Sequence, residues 1–263
     1  MIINLAGGNG IMGKVHAPIF ENAGNKVIIS GRKTSPNLEE AAQIADLTII
    51  SVPISATEEI IRKVAPHSAA LMDFTGVKTL PIEWMLENSN ESCEVGGLHP
   101  LYGDINSIRE RSIVYCSTYR SGNKCQEILR CFEKEGAKIF TMDEEVHDRV
   151  VVGELQNARI NLIESFGMGL YSSGKSFKET YRVSPPPTKV ILNLLARQIS
   201  ESNDLLYEDM RKYNPFQSLI DKKFYSKEHT IKNISESSKI LRTWYGDDLK
   251  ICQERARKFT ELV

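Results

Sequence analysis

Gly7-Gly8-Asn9-Gly10-Ile11-Met12-Gly13 stands between an apolar run at residues 2–6 and an amphipathic stretch at residues 12–22. Gly8, Gly10 and Gly13 have GxGxxG spacing, directly after a strand and at the opening of a helix, which commits the start of the chain to a strand–turn–helix unit. Gly8 permits the tight turn, Gly10 lets backbone N–H groups approach a pyrophosphate, and Gly13 lets helix and strand pack closely. Ile11 and Met12 lie in the same turn, at a helix N-terminus that favours negative charge. The motif predicts dinucleotide binding, with Gly8, Gly10, Ile11, Met12 and Gly13 as cofactor-binding residues.

The texture of the chain then predicts its architecture. Short apolar runs over 2–6, 26–30, 47–52, 70–74, 95–98, 112–117 and 137–141 alternate with helical patterns over 12–22, 56–64, 80–86 and 124–135. That alternation is the signature of βαβ units and a parallel, doubly wound sheet. Only residues 31–46 separate the second and third strands, so one crossover is abbreviated. Beyond residue 143 the strand-like runs give way to long amphipathic stretches over 144–171, 189–212 and 236–262, punctuated by Ser172-Ser173-Gly174-Lys175-Ser176 and Ser184-Pro185-Pro186-Pro187 as loops. The expected fold is α/β, with a Rossmann-like NAD(P)-binding domain over 1–145 and an all-α domain over 146–263. Wide apolar faces on the helical part predict a homodimer through it.

Charge narrows the function classes. The chain has 33 Lys+Arg against 34 Asp+Glu and a net charge of −1, so it offers no basic field for nucleic acid and no polybasic face for a membrane. Its five cysteines, Cys93, Cys116, Cys125, Cys131 and Cys252, are an odd number with no CxxC spacing, and the apolar run ending at Ala6 is too short for a signal or a span. These features predict a reduced, cytoplasmic protein with no metal site, acting on a small molecule.

The end of the second strand, Val27-Ile28-Ile29-Ser30-Gly31-Arg32-Lys33, lacks the acidic residue that holds the ribose 2′-OH in NAD enzymes. Ser30 and Arg32 are suited to a 2′-phosphate, with the Arg32 fork matching phosphate geometry and Lys33 adding charge. The expected cofactor is NADP, with NAD possible. Ser51, Pro53 and Thr57 follow the third strand, where a doubly wound sheet binds its ligand, and are expected at the nicotinamide end. Two more strand ends carry chemistry-bearing residues: Asp73-Phe74-Thr75-Gly76-Val77-Lys78 and Gly96-Gly97-Leu98-His99-Pro100-Leu101-Tyr102-Gly103.

In this order GGNGIMG, SVPISATEEII, DFTGVK, GGLHPLYG, EEVHD at 144–148, SPPP, LLARQ around Arg197 and RTWYGD at 242–247 span almost the whole chain. Together they resemble the prephenate dehydrogenase family of tyrosine biosynthesis. The resemblance implies oxidation of a cyclohexadienyl acid: hydride leaves ring C4 for the nicotinamide, CO2 departs and the ring aromatises. It implies that His99 is the catalytic histidine, acting on the C4 hydroxyl as a neutral imidazole does near neutral pH. It implies that Arg197 binds a substrate carboxylate and that His147, near the domain junction, is a substrate-site residue, with interdomain packing and hydrogen bonding as its other reading. Some relatives carry a chorismate mutase domain ahead of the first strand; with that strand at residue 2, a monofunctional chain is expected.

Two positions depart from the family pattern. Gly76 stands where the family commonly has Ser, with the Thr75 hydroxyl next door as its expected substitute. No histidine follows early in the first long helix, where Gln156, Arg159 or Asn161 is expected to take its place. A changed pocket suits prephenate first, with 4-amino-4-deoxyprephenate or arogenate as alternatives, Glu154 being available to a side-chain amine. A non-catalytic NADP sensor is the remote alternative, and it would not need His99 and Arg197 together. His16, His67 and His229 match no catalytic position and are assigned surface or core roles.

Overall fold

A computed structural model describes residues 1–224 and 234–262; His229 lies outside them. The chain divides into two compact units, Met1–Arg149 with Tyr213–Pro215, and Val150–Lys212 with Phe216–Val263. The division falls at 149/150 rather than at the expected 145/146. Residues 147–149 stay with the sheet unit because the Asp148 carboxylate accepts the N–H groups of Lys78 (2.7 Å) and Thr79 (2.9 Å). The Asn214 side chain donates to the Asp148 carbonyl at 2.8 Å, which ties residues 213–215 to the same unit.

The first unit is a seven-stranded sheet in the order β2-β1-β3-β4-β5-β6-β7. Its strands are β1 (Ile2–Ala6), β2 (Lys26–Ser30), β3 (Leu47–Ile50), β4 (Ala70–Asp73), β5 (Glu94–Pro100), β6 (Ser112–Ser117) and β7 (Lys138–Thr141). The first five run parallel, whereas β6 is antiparallel to β5 and β7 parallel to β6. This departs from the wholly parallel expectation: residues 101–111 form no helix, and without a crossover helix the chain reverses directly. β5 also extends two residues past the predicted end, so His99 lies inside the strand, opposite Val114.

Helices cover both faces. Ala17, Ile19 and Phe20 of α1 (Ile11–Asn22) pack with Ile128, Leu129 and Phe132 of the later helix Asn123–Lys134 on one side. On the other, α2 (Leu38–Ile44), α3 (Ile54–Val64) and α4 (Thr79–Asn88) contribute Leu38, Ile61, Val64, Ile82 and Met85. α2 has seven residues, which is the abbreviated crossover. α5 is Asn123–Lys134, and after β7 a single turn, α6 (Glu144–Val146), opens into π-helical winding over His147–Asn157.

The second unit is helical among its described residues: α7 (Ala158–Tyr171), α8 (Phe177–Val183), α9 (Pro186–Gln198), α10 (Glu201–Lys212), α11 (Gln217–Phe224), α12 (Ile234–Tyr245) and α13 (Asp248–Leu262). Its core joins Leu192, Leu195 and Ile199 of α9 to Leu241 and Tyr245 of α12, with the Phe177 ring stacked 4.0 Å from Tyr245. The stretch predicted over 236–262 breaks at Gly246, whose φ of +54° ends α12 in a left-handed residue. Pro186 and Pro187 are helical rather than loop, occupying the first turn of α9, where a missing N–H costs nothing.

His16 is fully buried among Phe20, Phe74 and Phe132. Its Nδ1–H donates to the Met12 carbonyl at 2.7 Å and its Nε2 accepts the Tyr102 hydroxyl at 2.9 Å, joining α1 to the segment after His99. Burial lowers its pKa to about 4. Between pH 6.5 and 4 the unfolded chain takes up a proton that the native ring refuses, so stability is lost as pH falls through that window, by about 3 kcal/mol for this group. Urea unfolding from pH 7 to 4 will show that decline, and His16→Gln will flatten it; an unchanged slope in the variant would refute the assignment.

Candidate active site

At the start of the sheet unit, Gly7 rather than Gly8 is the left-handed residue, with φ +85°. A Cβ on Gly7 would sit 2.5 Å from the Ser51 carbonyl oxygen, one on Gly8 2.7 Å from Leu5 Cβ, and one on Gly13 2.0 Å from the Gly8 oxygen. These three glycines let β1, β3 and α1 close on one another. Gly10 differs: the nearest atom to its Cβ position is the Gly7 oxygen at 3.6 Å, so space is open there. α1 has no side-chain cap and no acidic residue in its first turn, which leaves the N–H groups of Ile11, Met12 and Gly13 without intrahelical partners at the positive end of the helix. An open cradle of unpaired donors fits a pyrophosphate.

At the expected 2′-phosphate site the three residues face different surroundings. Ser30 is fully buried and its hydroxyl donates to Asn4 Oδ1 at 2.8 Å, because its position on β2 turns it into the sheet. Arg32 and Lys33, past the strand end, are exposed. Ser51 is half-buried, its N–H donated to the Ala6 carbonyl at 2.8 Å, and Pro53 is exposed at the start of α3. Thr57 is fully buried and bonds the Pro53 carbonyl one turn back at 3.1 Å, so it presents no surface to a nicotinamide.

Around His99 the structure gathers a buried polar chain. The Asp148 carboxylate, held by the first N–H groups at α4, accepts from His147 Nδ1 at 2.8 Å. A carboxylate only accepts, so His147 Nδ1 carries the proton and its Nε2 is the acceptor. That Nε2 lies 2.8 Å from His99 Nδ1, which must then donate. His99 is thereby fixed with its Nε2 unprotonated. Burial first, then the neighbouring His147 and the Lys78 ammonium, hold the His99 pKa well below its ordinary value. Burial also lowers His147, with Asp148 opposing it. The arrangement is a neutral imidazole base with a set tautomer. Thr75 is buried, its N–H donating to Asp73 Oδ2 at 2.9 Å and its hydroxyl shared between Asp73 and the Val77 carbonyl.

Residues 11–141 match the family described as prephenate dehydrogenase, nucleotide-binding domain. The chain is 29% identical over 280 residues to the "Probable arogenate/prephenate dehydrogenase" of Methanocaldococcus jannaschii, covering 98% of this chain and 61% of that protein. It is 25% identical to the T-protein of Enterobacter agglomerans, across 94% of this chain and 68% of that one. The chain belongs to the prephenate dehydrogenase family. In fold it resembles the crystal structure of prephenate dehydrogenase from A. aeolicus in complex with hydroxyphenyl propionate and NAD+, with TM-score 0.53 and 16% identity, covering 99% and 95% of the two chains.

The remaining candidates of this prephenate dehydrogenase family member lie in the helical unit. Arg197 is half-buried in the last turn of α9. Of the three residues expected to replace the missing histidine, Asn161 is buried and donates to the Asn157 carbonyl at 2.8 Å, and Arg159 bonds Gln198 at 3.1 Å beside the Tyr207 ring. Gln156 is half-buried. The five cysteines are free and buried, and among the described residues no His/Cys/Asp/Glu group is set to hold a metal and no helix is long and apolar enough to cross a membrane. Sequence reasoning missed Asp148, Lys78 and Asp73 as members of the site. All three stand inside quoted motifs, EEVHD and DFTGVK, next to residues that it did select.

The glycine geometry separates two substitutions. Gly10→Ala will fold with unchanged thermal stability and weaken dinucleotide binding by about tenfold or more, read by calorimetric titration. Gly13→Ala will destabilise the protein itself by about 2 kcal/mol or more, because its methyl meets backbone.

Proposed function

We propose that this chain oxidises prephenate to 4-hydroxyphenylpyruvate, with loss of CO2 and hydride transfer to NADP. The observation that carries the proposal is the Asp148–His147–His99 chain, which leaves an unprotonated imidazole nitrogen on a buried histidine. The substrate demands that group. As the C4 hydride leaves, the hydroxyl proton goes to a base and C4–O becomes a transient carbonyl; the C1–carboxylate bond then breaks to release CO2, its electron pair aromatises the ring and passes to the C4 oxygen, and that oxygen takes the proton back as the phenol hydroxyl. The bound nicotinamide ring supplies the hydride acceptor. His99 takes the proton, the Gly10 turn holds the pyrophosphate, and the exposed Arg32 and Lys33 favour a 2′-phosphate. Arg197 pairs with a substrate carboxylate, the role that its place in LLARQ implies.

Arogenate is the second reading, favoured by the name of the Methanocaldococcus jannaschii relative, which gives both substrates. A homodimer through the helical unit accords with exposed Leu155, Leu162, Leu205 and Leu219, which are 61–73% accessible.

The test is reduced-nicotinamide formation by the purified chain with prephenate, arogenate and 4-amino-4-deoxyprephenate, each with NADP and NAD. Prephenate with NADP is expected to turn over fastest, and silence with all three substrates sinks the proposal. His99→Asn is expected to lower kcat about 100-fold or more while dinucleotide binding persists. Arg32→Ala is expected to weaken NADP about tenfold and leave NAD nearly unchanged; an unaltered NADP/NAD ratio would remove Arg32 from the cofactor site.

A further inference from the structure

Lys78 is fully buried, as is Asp73. Its ammonium forms an ion pair with Asp73 Oδ2 and donates to the Leu98 carbonyl at 2.7 Å, the peptide that leads into His99. Its own backbone N–H is one of the two that hold Asp148. One residue therefore grips both ends of the Asp148–His147–His99 chain, through its main chain at Asp148 and its side chain at the strand carrying His99. The sequence makes room for this: a Cβ on Gly97 would lie 3.0 Å from Lys78 Cδ and 2.9 Å from Ile82 Cδ1, so a larger residue on β5 would obstruct the lysine stem.

A buried ammonium is costly unless paired, and Lys78 has two acceptors, Asp73 Oδ2 and the Leu98 carbonyl. We propose that the Lys78–Asp73 pair is a positioning device for the His99–His147 couple, locking the end of β5 and placing a fixed cation whose field keeps both rings neutral at working pH. The proposal rests on His99 acting as the base. The charged groups that act on the couple are Asp73 on β4, Lys78 ahead of α4 and Asp148 on the π-helical segment, and the same three, with Glu144 on α6, act on the Cys116 thiol on β6. Lys78 acts on both rings to disfavour their protonated forms, and on His147 Asp73 opposes it more weakly.

The experiment is a histidine NMR titration of the full chain without substrate, so that it reads the rings whether or not the proposed reaction occurs, alongside the pH profile of kcat/KM. In the wild type both rings are expected to be neutral at pH 7; an imidazolium there overturns the proposal before any variant is made. In the double variant Asp73→Asn with Lys78→Met, which leaves no unpaired buried charge, the His99 midpoint and the acid limb of kcat/KM are expected to move up together. In Asp73→Asn alone, which keeps the cation and a hydrogen-bond acceptor for it, the His147 midpoint is expected to move down. Opposite signs mark an electrostatic role, whereas loosening of the fold would carry both variants in one direction, toward the solvated value. Unmoved midpoints, or shifts of the same sign, would overturn the assignment. A wild type with neutral rings but no turnover would instead count against the proposed reaction.

Discussion

The carboxylate of Asp148 is the interaction on which the rest of the site depends. It closes the N-terminus of α4 by accepting two of the N–H groups that a helix start leaves unpaired, where a negative charge is favoured. With those bonds made, it has one preferred partner left, His147 Nδ1, and that choice fixes every hydrogen bond outward to His99. A residue that caps a helix thus also sets the tautomer of a ring two hydrogen bonds away. Each bond of this kind contributes only ~1 kcal/mol net, but a buried donor or acceptor left unpaired costs more, so the chain holds as a unit.

The cofactor end follows a different logic, that of close backbone approach. Gly7, Gly8 and Gly13 are spent on packing β1, β3 and α1 together, and their missing side chains bring the unpaired amides of α1 to the end of the sheet. Gly10 alone keeps space in front of it. Rigidity of the turn and openness of the ligand face come from the same four glycines, used in two ways. His16 adds a second tie from α1, through Tyr102, to the segment that follows His99.

Much of this was legible in the sequence because it is local. The GxGxxG turn, the abbreviated crossover around α2 and the alternation of strands with helices rest on near neighbours in the chain, and they gave the fold class. What sequence could not supply was direction. Ser30 ends β2 and Thr57 follows β3 as expected, yet one turns into the sheet toward Asn4 and the other back onto its own helix. Tertiary pairing was equally hidden: Asp148 and Lys78 are 70 residues apart and meet only through the fold. The antiparallel return of β6 escaped notice because a strand's apolar pattern does not encode its direction.

The buried charges also explain why two histidines stand where one would serve as a base. Lys78 is paired with Asp73, whereas the Asp148 carboxylate is held by two backbone N–H groups and the His147 ring. A proton taken at His99 Nε2 can be matched by passing the Nδ1 proton on to His147, which leaves the positive charge on the ring beside Asp148. In the proposed reaction the His99 base then returns to neutrality, and the positive charge comes to rest beside the Asp148 carboxylate. A single buried histidine next to Lys78 would have to keep that charge against both burial and a like charge. The second ring turns an unfavourable proton acceptance into a short displacement toward a fixed counter-ion.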